Sequence, residues 1–282
     1  MPKALVAVES GQCDLVSIAQ IYQRSGTRSV SWKDSNITSP ADFKGKKVGV
    51  WDFGNEFEVT AAAKKAGLES GTDFEKIIQP FDMTLLLSKQ IDVAEAMIYN
   101  EYAQVLEAEN PDTGELYQPE DLNVIDWNDV GTAMLQDAIW ASTERLDDEA
   151  YAEQTVAFIK ASIKGWAFVR DNPEDAAAIV AESGSELGQS HQLWMANEVN
   201  KLIWPSTNGV GIIDEDAWAQ TVDIALNTEN ETGATIITDA PPESAYTNEY
   251  VEEALDELRE EGVDVDGADF TPIDVTLNEG GS

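Results

Sequence analysis

The chain has 282 residues, 43% hydrophobic and 8% aromatic, with 17 basic and 54 acidic side chains giving a formal charge of −37. That is enough apolar material for two compact lobes and too much for a disordered chain. So acidic a surface excludes nucleic acid and anionic membrane as partners, because both require basic patches.

From residue 46 onward, short apolar runs alternate with helix-like segments. Lys47-Val48-Gly49-Val50-Trp51 predicts a buried strand and Asp52-Phe53-Gly54 a turn. Residues 56–66 predict a helix with Asn55 as its N-cap and Gly67 as its stop. Further strands are predicted over 74–81 and 93–98, and helices over 83–90 and 101–109. This alternation predicts an α/β lobe with a doubly wound, parallel sheet, whose ligands lie outside the carboxyl ends of the strands. After a polar loop over 110–121 come strand-like Val124-Ile125-Asp126 and Ala138-Ile139-Trp140. The remainder reads as mainly helical. A long amphipathic helix is predicted over 148–170, and Pro173 opens the next at its first position. Three more helices follow over 187–202, 215–226 and 248–261. The tail from 264, rich in Asp and Gly, is expected to fray.

The acid is dispersed along the whole chain, as in Asp147-Asp148-Glu149 and Glu252-Glu253 through Glu260-Glu261. Salt screens exposed charges over about 10 Å at 0.1 M and about 3 Å at 1 M, so this pattern predicts a protein adapted to concentrated salt, with a merely acidic mesophilic surface as the alternative. The single cysteine, Cys13, allows no internal disulfide. No apolar run approaches the ~20 residues of a membrane span, and Met1-Pro2-Lys3 carries no signal-peptide pattern.

Catalytic patterns are scarce. The only histidine, His191, lies in Gln189-Ser190-His191-Gln192 without a Cys partner or metal-ligand spacing. It is expected on a helix surface or at a cap, far from the loops considered next. Nucleophile elbows, phosphate loops and EF-hand order are missing, so no catalytic residue, cofactor or metal is expected. Two loops do carry a binding signal. Trp51-Asp52-Phe53-Gly54-Asn55-Glu56 follows a strand and opens a helix whose free N–H groups face a ligand; a plain turn and cap is the alternative. Tyr99-Asn100-Glu101-Tyr102 also follows a strand. Its carboxylate can accept paired hydrogen bonds from an amino-substituted heterocycle, and Tyr adds an apolar face with a polar tip. Here the alternative is a helix start, where the dipole favours an acid.

The same residues carry a family likeness. Thr38-Ser39-Pro40-Ala41-Asp42-Phe43-Lys44-Gly45-Lys46-Lys47-Val48-Gly49-Val50 resembles the crossover of the ABC-importer binding proteins for thiamine pyrimidine precursors, sulfonates, taurine and nitrate. Residues 4–14, Ile21-Tyr22-Gln23-Arg24-Ser25 and 165–176 resemble them too. Tyr99-Asn100-Glu101, 51–56 and 194–205 are similar to the branch that binds formylaminopyrimidine-type precursors, which has riboflavin binders as relatives. The resemblance implies a two-lobed, periplasmic-binding-protein-like α/β fold of type II. Lobe one is expected over 1–45 plus 134–282 and lobe two over 46–133, joined only by the 44–50 crossover and a return near Met134. It also implies capture of a small pyrimidine thiamine precursor, delivery to an ABC permease in the membrane, an extracytoplasmic location and a monomer. Ligand contacts are expected from Trp51, Asp52, Asn55, Tyr99, Glu101 and Tyr22, with Glu101 a cleft carboxylate open to solvent. The family's leading strand and helix, and a stretch between Asp14 and Leu15, have no counterpart, so lobe one is expected to be incomplete. The alternatives are a binder of riboflavin, sulfonate, taurine or nitrate; a pyrimidine synthase of the same fold that consumes pyridoxal phosphate; and a remnant that binds nothing.

Overall fold

Val48, Gly49 and Val50 are wholly buried, as a strand covered on both faces requires. A computed structural model describes residues 1–51, 54–230 and 232–282. In chain order it begins with helix α1 (Pro2–Glu9), β1 (Leu15–Gln20), β2 (Thr27–Trp32), β3 (Lys47–Val50) and α2 (Glu56–Lys65). Next come β4 (Glu75–Ile78), α3 (Thr84–Leu87), β5 (Val93–Met97), α4 (Glu101–Leu106), β6 (Leu122–Asp126), α5 (Trp127–Val130) and β7 (Ala138–Ser142). The helical remainder is α6 (Thr143–Leu146), α7 (Glu149–Asp171), α8 (Pro173–Glu182), α9 (Gln189–Ile203), α10 (Glu215–Asn227) and α11 (Glu249–Glu260). Local chemistry sets several ends. Asp148 caps α7 by accepting from Ala150 N at 3.0 Å, and β4 stops short of the predicted residue 81 because Pro80 has no N–H to donate.

Five strands form one sheet in the order β4-β3-β5-β2-β6, and β1 pairs with β7 in a second. β3 runs parallel to β4 and β5, but β2 is antiparallel to both its neighbours, so the large sheet is mixed rather than wholly parallel. Its two faces carry separate cores. Val59, Ala62 and Ala63 of α2 pack with Phe43, Phe74 and Trp127 on one. Leu86, Tyr102, Val105 and Leu106 pack with Val30, Ala94 and Ala96 on the other. α7, α9 and α11 cover the small sheet.

Two expectations about organisation change. The sequence places residues 1–45 in one lobe, yet β2 sits inside the large sheet, so the sheets divide between Gln20 and Thr27. Thr-Arg-Ser-Val-Ser-Trp hides that strand because its polar residues are as buried as its apolar ones. Nor are two crossings the whole connection. α9 packs Trp194 against the large-sheet core and Val199 and Ile203 against the small-sheet core. The tail crosses as well: Phe270 joins the small-sheet cluster, Leu277 the large-sheet one, and Gly280 N donates to Glu107 O at 3.1 Å. The expected fraying is replaced by docking. Among the described residues, no helix is long and apolar enough to cross a membrane.

Candidate ligand-binding site

The carboxyl ends of β3 and β5 lie side by side, and there the fold buries acid. Glu95 on β5 is fully buried. Its Oε2 accepts from Trp51 N at 2.5 Å, while Oε1 has no hydrogen-bond partner. Burial holds this carboxyl well above the ordinary range. Gln79 locks the region, donating from Nε2 to Glu95 O at 2.8 Å and accepting from Glu95 N at 2.9 Å. This amide reaches across β3 at Gly49, where a Cβ would lie 2.4 Å from Gln79 Oε1. A side chain at that position would have to push the Gln79 amide and the end of Ile91 aside.

Trp51 continues β3, but its indole is 2% exposed and donates to Pro80 O at 3.2 Å. One ring face stacks on Phe81, with centroids 5.7 Å apart and planes 23° apart. Phe81 is 70% exposed, so it, not Trp51, is the outward aromatic at this end of the sheet. Asp52 lies outside the described residues. Asn55 is half-buried at the amino end of α2 and makes no capping bond; instead Gly54 N donates to Glu56 Oε2 at 2.8 Å. A cavity of about 180 Å³ opens there, lined by Val6, Gly54, Glu56, Phe57 and Ile236 among others.

Glu101 opens α4 and is only 3% exposed. Its Oε2 accepts from Met97 N at 3.0 Å and its Oε1 from Asn100 Nδ2 at 2.9 Å. Both oxygens are engaged within their own loop, and burial raises the carboxyl above its usual range. The solvent-open carboxylate expected from the sequence is thus a buried one. Tyr99 meets Tyr22 edge-on at 6.2 Å, and Tyr22 meets Trp166 of α7 at 5.9 Å. Gly26 lets the Tyr99 ring approach, since a Cβ there would lie 2.9 Å from Cε1.

The two segments joining the sheets, 21–26 and 131–137, are zipped by glutamines. Gln20 Nε2 donates to Tyr22 O at 2.8 Å and also to Gln136 O. Gln136 accepts from Gly26 N at 3.0 Å and donates to the hydroxyls of Ser25 and Thr27. Beneath them lies Glu58 of α2, accepting from Met134 N at 2.5 Å. Burial pushes its carboxyl up to about 7 against the bonds it accepts from Met134, Ser25 and Thr27. Arg28 supplies positive charge nearby. Its guanidinium is already committed to the carbonyls of Ser25 and Thr27 at 2.8 Å each and to Asp126 at 2.7 Å.

His191 overturns its expectation. It is fully buried, with Nδ1 2.8 Å from Glu107 Oε1 and Nε2 3.0 Å from Asn100 Oδ1. Far from being remote, it clamps the central residue of Tyr99-Asn100-Glu101 to α9. The structure therefore joins Tyr22 with Tyr99 and draws Trp51 to Glu95, while turning Trp51 and Glu101 inward. Sequence reasoning missed Phe81, Glu95, Glu58 and the hinge glutamines. One signal was available: a lone acid inside the apolar run Val93-Ala94-Glu95-Ala96-Met97 marks a buried carboxylate. Among the described residues, no group of three or more His, Cys, Asp or Glu is arranged to hold a metal ion.

Comparison with known proteins places this geometry. A protein named as the periplasmic sulfonate-binding protein SsuA of Methylobacillus flagellatus KT superposes with a TM-score of 0.62 at 18% identity, over 97% of this chain and 76% of that one. The periplasmic aliphatic sulphonate binding protein SsuA of Escherichia coli gives 0.58 at 14%, over 97% and 73%. The desulfurization enzyme DSZB gives 0.55 at 12%, over 91% and 83%. These likenesses establish the fold, a periplasmic-binding-protein-like α/β architecture, and fold alone does not choose between binder and enzyme. No curated protein sequence matches the chain. The family model described as NMT1/THI5 like matches residues 1–176, and the chain belongs to that NMT1/THI5-like family.

Proposed function

We propose that the chain is the substrate-binding component of an ABC importer, capturing a small amino-substituted pyrimidine of the thiamine-precursor type outside the cytoplasm and delivering it to a membrane permease. Family membership and the fold of the sulfonate-binding neighbours support the importer role. Closure takes place about the segments 21–26 and 131–137, around the carboxyl ends of β3 and β5.

The charge balance of this region carries the choice of ligand. Glu58, Glu95 and Glu101 are buried there, and the guanidinium of Arg28 is fully spoken for. A sulfonate or nitrate would enter against buried or desolvated carboxyls, beside an Arg28 guanidinium that is already paired. A donor-bearing heterocycle meets acceptors instead, with the Tyr22–Tyr99 pair and Phe81 as aromatic walls. Asp52, Asn55, Tyr99 and Tyr22 remain the proposed contacts; Trp51 backs Phe81, and Glu101 shapes the loop.

Thermal-shift screening at high salt tests the reading, with aminopyrimidines, riboflavin, taurine and nitrate as probes. Stabilisation by aminopyrimidines and not by the anions is the expected result. Stabilisation by taurine or nitrate alone overturns it, and silence from every probe would favour a remnant that binds nothing.

A further inference from the structure

Glu107 is the residue after α4, and its carbonyl is one of those that a helix end leaves without a partner. The tail supplies one: Gly280 N donates to Glu107 O at 3.1 Å. Two further bonds tie the tail to α9. Asn278 N donates to Ser190 Oγ at 3.2 Å, and Ile273 N to Asn197 Oδ1 at 3.0 Å. Gly281, buried and held at φ 76°, then covers the pair of Glu107 and His191. A Cβ at that position would lie 3.0 Å from His191 Cβ and 3.2 Å from each Glu107 carboxylate oxygen. A side chain there would press on the pair, in a backbone conformation that L-residues rarely adopt. Beneath this cover the His191 side chain is 0% exposed and the Glu107 side chain 5%.

From this pair a chain of hydrogen bonds runs without a break into the Tyr99-Asn100-Glu101 loop. His191 Nδ1 meets Glu107 Oε1 at 2.8 Å, and Nε2 meets Asn100 Oδ1 at 3.0 Å. Asn100 Nδ2 donates to Glu101 Oε1 at 2.9 Å, which leaves Oδ1 as the acceptor for the ring. Both ring nitrogens therefore face acceptors, and both donate. Glu101 Oε2 accepts in turn from Met97 N at 3.0 Å, at the carboxyl end of β5. The chain thus joins tail, α4, α9, loop and strand. A fully satisfied buried network is rigid, so the position of the loop depends on the cover that the tail provides.

We infer that the tail segment 278–281 is part of the ligand site: by covering the Glu107–His191 pair it positions the loop that carries Tyr99. Gly281 is a positioning residue, acting through His191 and Asn100 without touching ligand. The inference rests on the reading of Tyr99 as a ligand contact, and it makes affinity depend on a segment far along the chain from that loop.

Two measurements on the full chain test it. The first needs no ligand: hydrogen exchange at Met97 N and at the Asn100 side-chain amide, with the ring of the only histidine as an NMR marker. Gly281→Val places a branched side chain where φ disfavours it. It should speed exchange at Met97 and Asn100 about tenfold and shift the His191 ring signals, while β1 and β7 amides and the melting curve change little. Ser190→Ala removes the acceptor of Asn278 N. It should act in the same direction to a smaller extent, and it carries the test if Gly281→Val does not fold. The second measurement is calorimetry with an aminopyrimidine bearing a hydroxymethyl arm, expected to bind Gly281→Val about tenfold more weakly than the parent. Unchanged exchange at Met97 and Asn100 in both variants overturns the inference and leaves the pyrimidine reading standing. Faster exchange with affinity intact overturns it too, as does exchange raised equally throughout the chain. Faster local exchange, in a protein whose parent does not bind the pyrimidine, keeps the tail as the support of the loop and removes the ligand reading.

Discussion

The two ends of β3 handle charge in opposite ways. At its amino end Lys44 and Lys47 are exposed. Lys44 Nζ lies 3.5 Å from Asp73 Oδ1, and Lys47 N donates to Asp92 Oδ2 at 2.8 Å. Signs alternate and water reaches most of them. At the carboxyl end the backbone of Trp51 leads into Glu95, with Glu58 and Glu101 also buried. Exposed pairs contribute roughly 0–1 kcal/mol, whereas a carboxylate taken out of water costs several unless it is protonated or paired. Stability alone accounts for the first arrangement and not for the second. Only six glutamates are buried among the described residues, Glu56, Glu58, Glu95, Glu101, Glu107 and Glu198. Three of them, Glu56, Glu58 and Glu101, act electrostatically on a fourth, Glu95. In a chain of 54 acids, position rather than number sets these six apart.

The largest expected effect falls on the clamp behind that end. His191→Ala removes the partner of Glu107 and leaves its carboxylate buried and unpaired, which should cost about 3–5 kcal/mol in chemical denaturation. The Asn100 loop should loosen with it. A loss below about 1 kcal/mol would mean that the buried network is as weak as the surface one, and the contrast between the two ends would fail.

Glu58 gives the next effect, through pH. Its folded carboxyl is raised from 4.5 to about 7, so between these values the folded state holds a proton that the unfolded chain has released. The stability from this group is full below pH 4.5 and falls as the pH climbs towards 7. The total is about 3 kcal/mol at about 1.36 per unit. Glu58→Gln keeps an acceptor for Met134 N and does not titrate. Denaturation of parent and variant across this window should therefore diverge, the parent weakening with pH and the variant holding. Parallel curves would show Glu58 to be an ordinary surface-like acid.

Glu101 comes third. Gln at this position turns one of the two accepting oxygens into a donor facing either Met97 N or Asn100 Nδ2, a mismatch of about 1–3 kcal/mol. Equal melting of parent and Glu101→Gln would return Glu101 to the solvent-open role read from the sequence.

That reversal indicates what a sequence can carry. Periodicity made β3, β5, α7, α10 and α11 legible, since each has a strong apolar pattern, and family likeness supplied the two-lobed fold. β2 was hidden because both faces of a six-residue strand are buried whether polar or not. Loop residues were located at the carboxyl strand ends, as the fold rule demands, but not their orientation. Trp51 and Glu101 turn inward because each finds a backbone partner within its own neighbourhood, Pro80 O and Met97 N, and residue type says nothing of that. His191 reaches Asn100 across 91 positions, a relation that only tertiary packing creates.

The smallest expected effect lies at the amino end of β3 and sharpens the comparison by its smallness. Lys44 is 74% exposed on its side chain, and its partner Asp73 is 23% exposed. Lys44→Ala gives up one loose ion pair and moves the formal charge from −37 to −38, so the loss at low salt should stay within about 0.5 kcal/mol. In about 1 M KCl, where screening shortens to about 3 Å, it should vanish. The parent itself should melt higher in that salt, because most of its acids are exposed and repel one another. Melting both proteins across the salt range separates the outcomes. A flat parent curve would remove the salt-adapted reading. A Lys44→Ala loss of about 2 kcal/mol that persists in molar salt would show that the amino end also depends on desolvated charge, and the two ends of β3 would then no longer differ in kind.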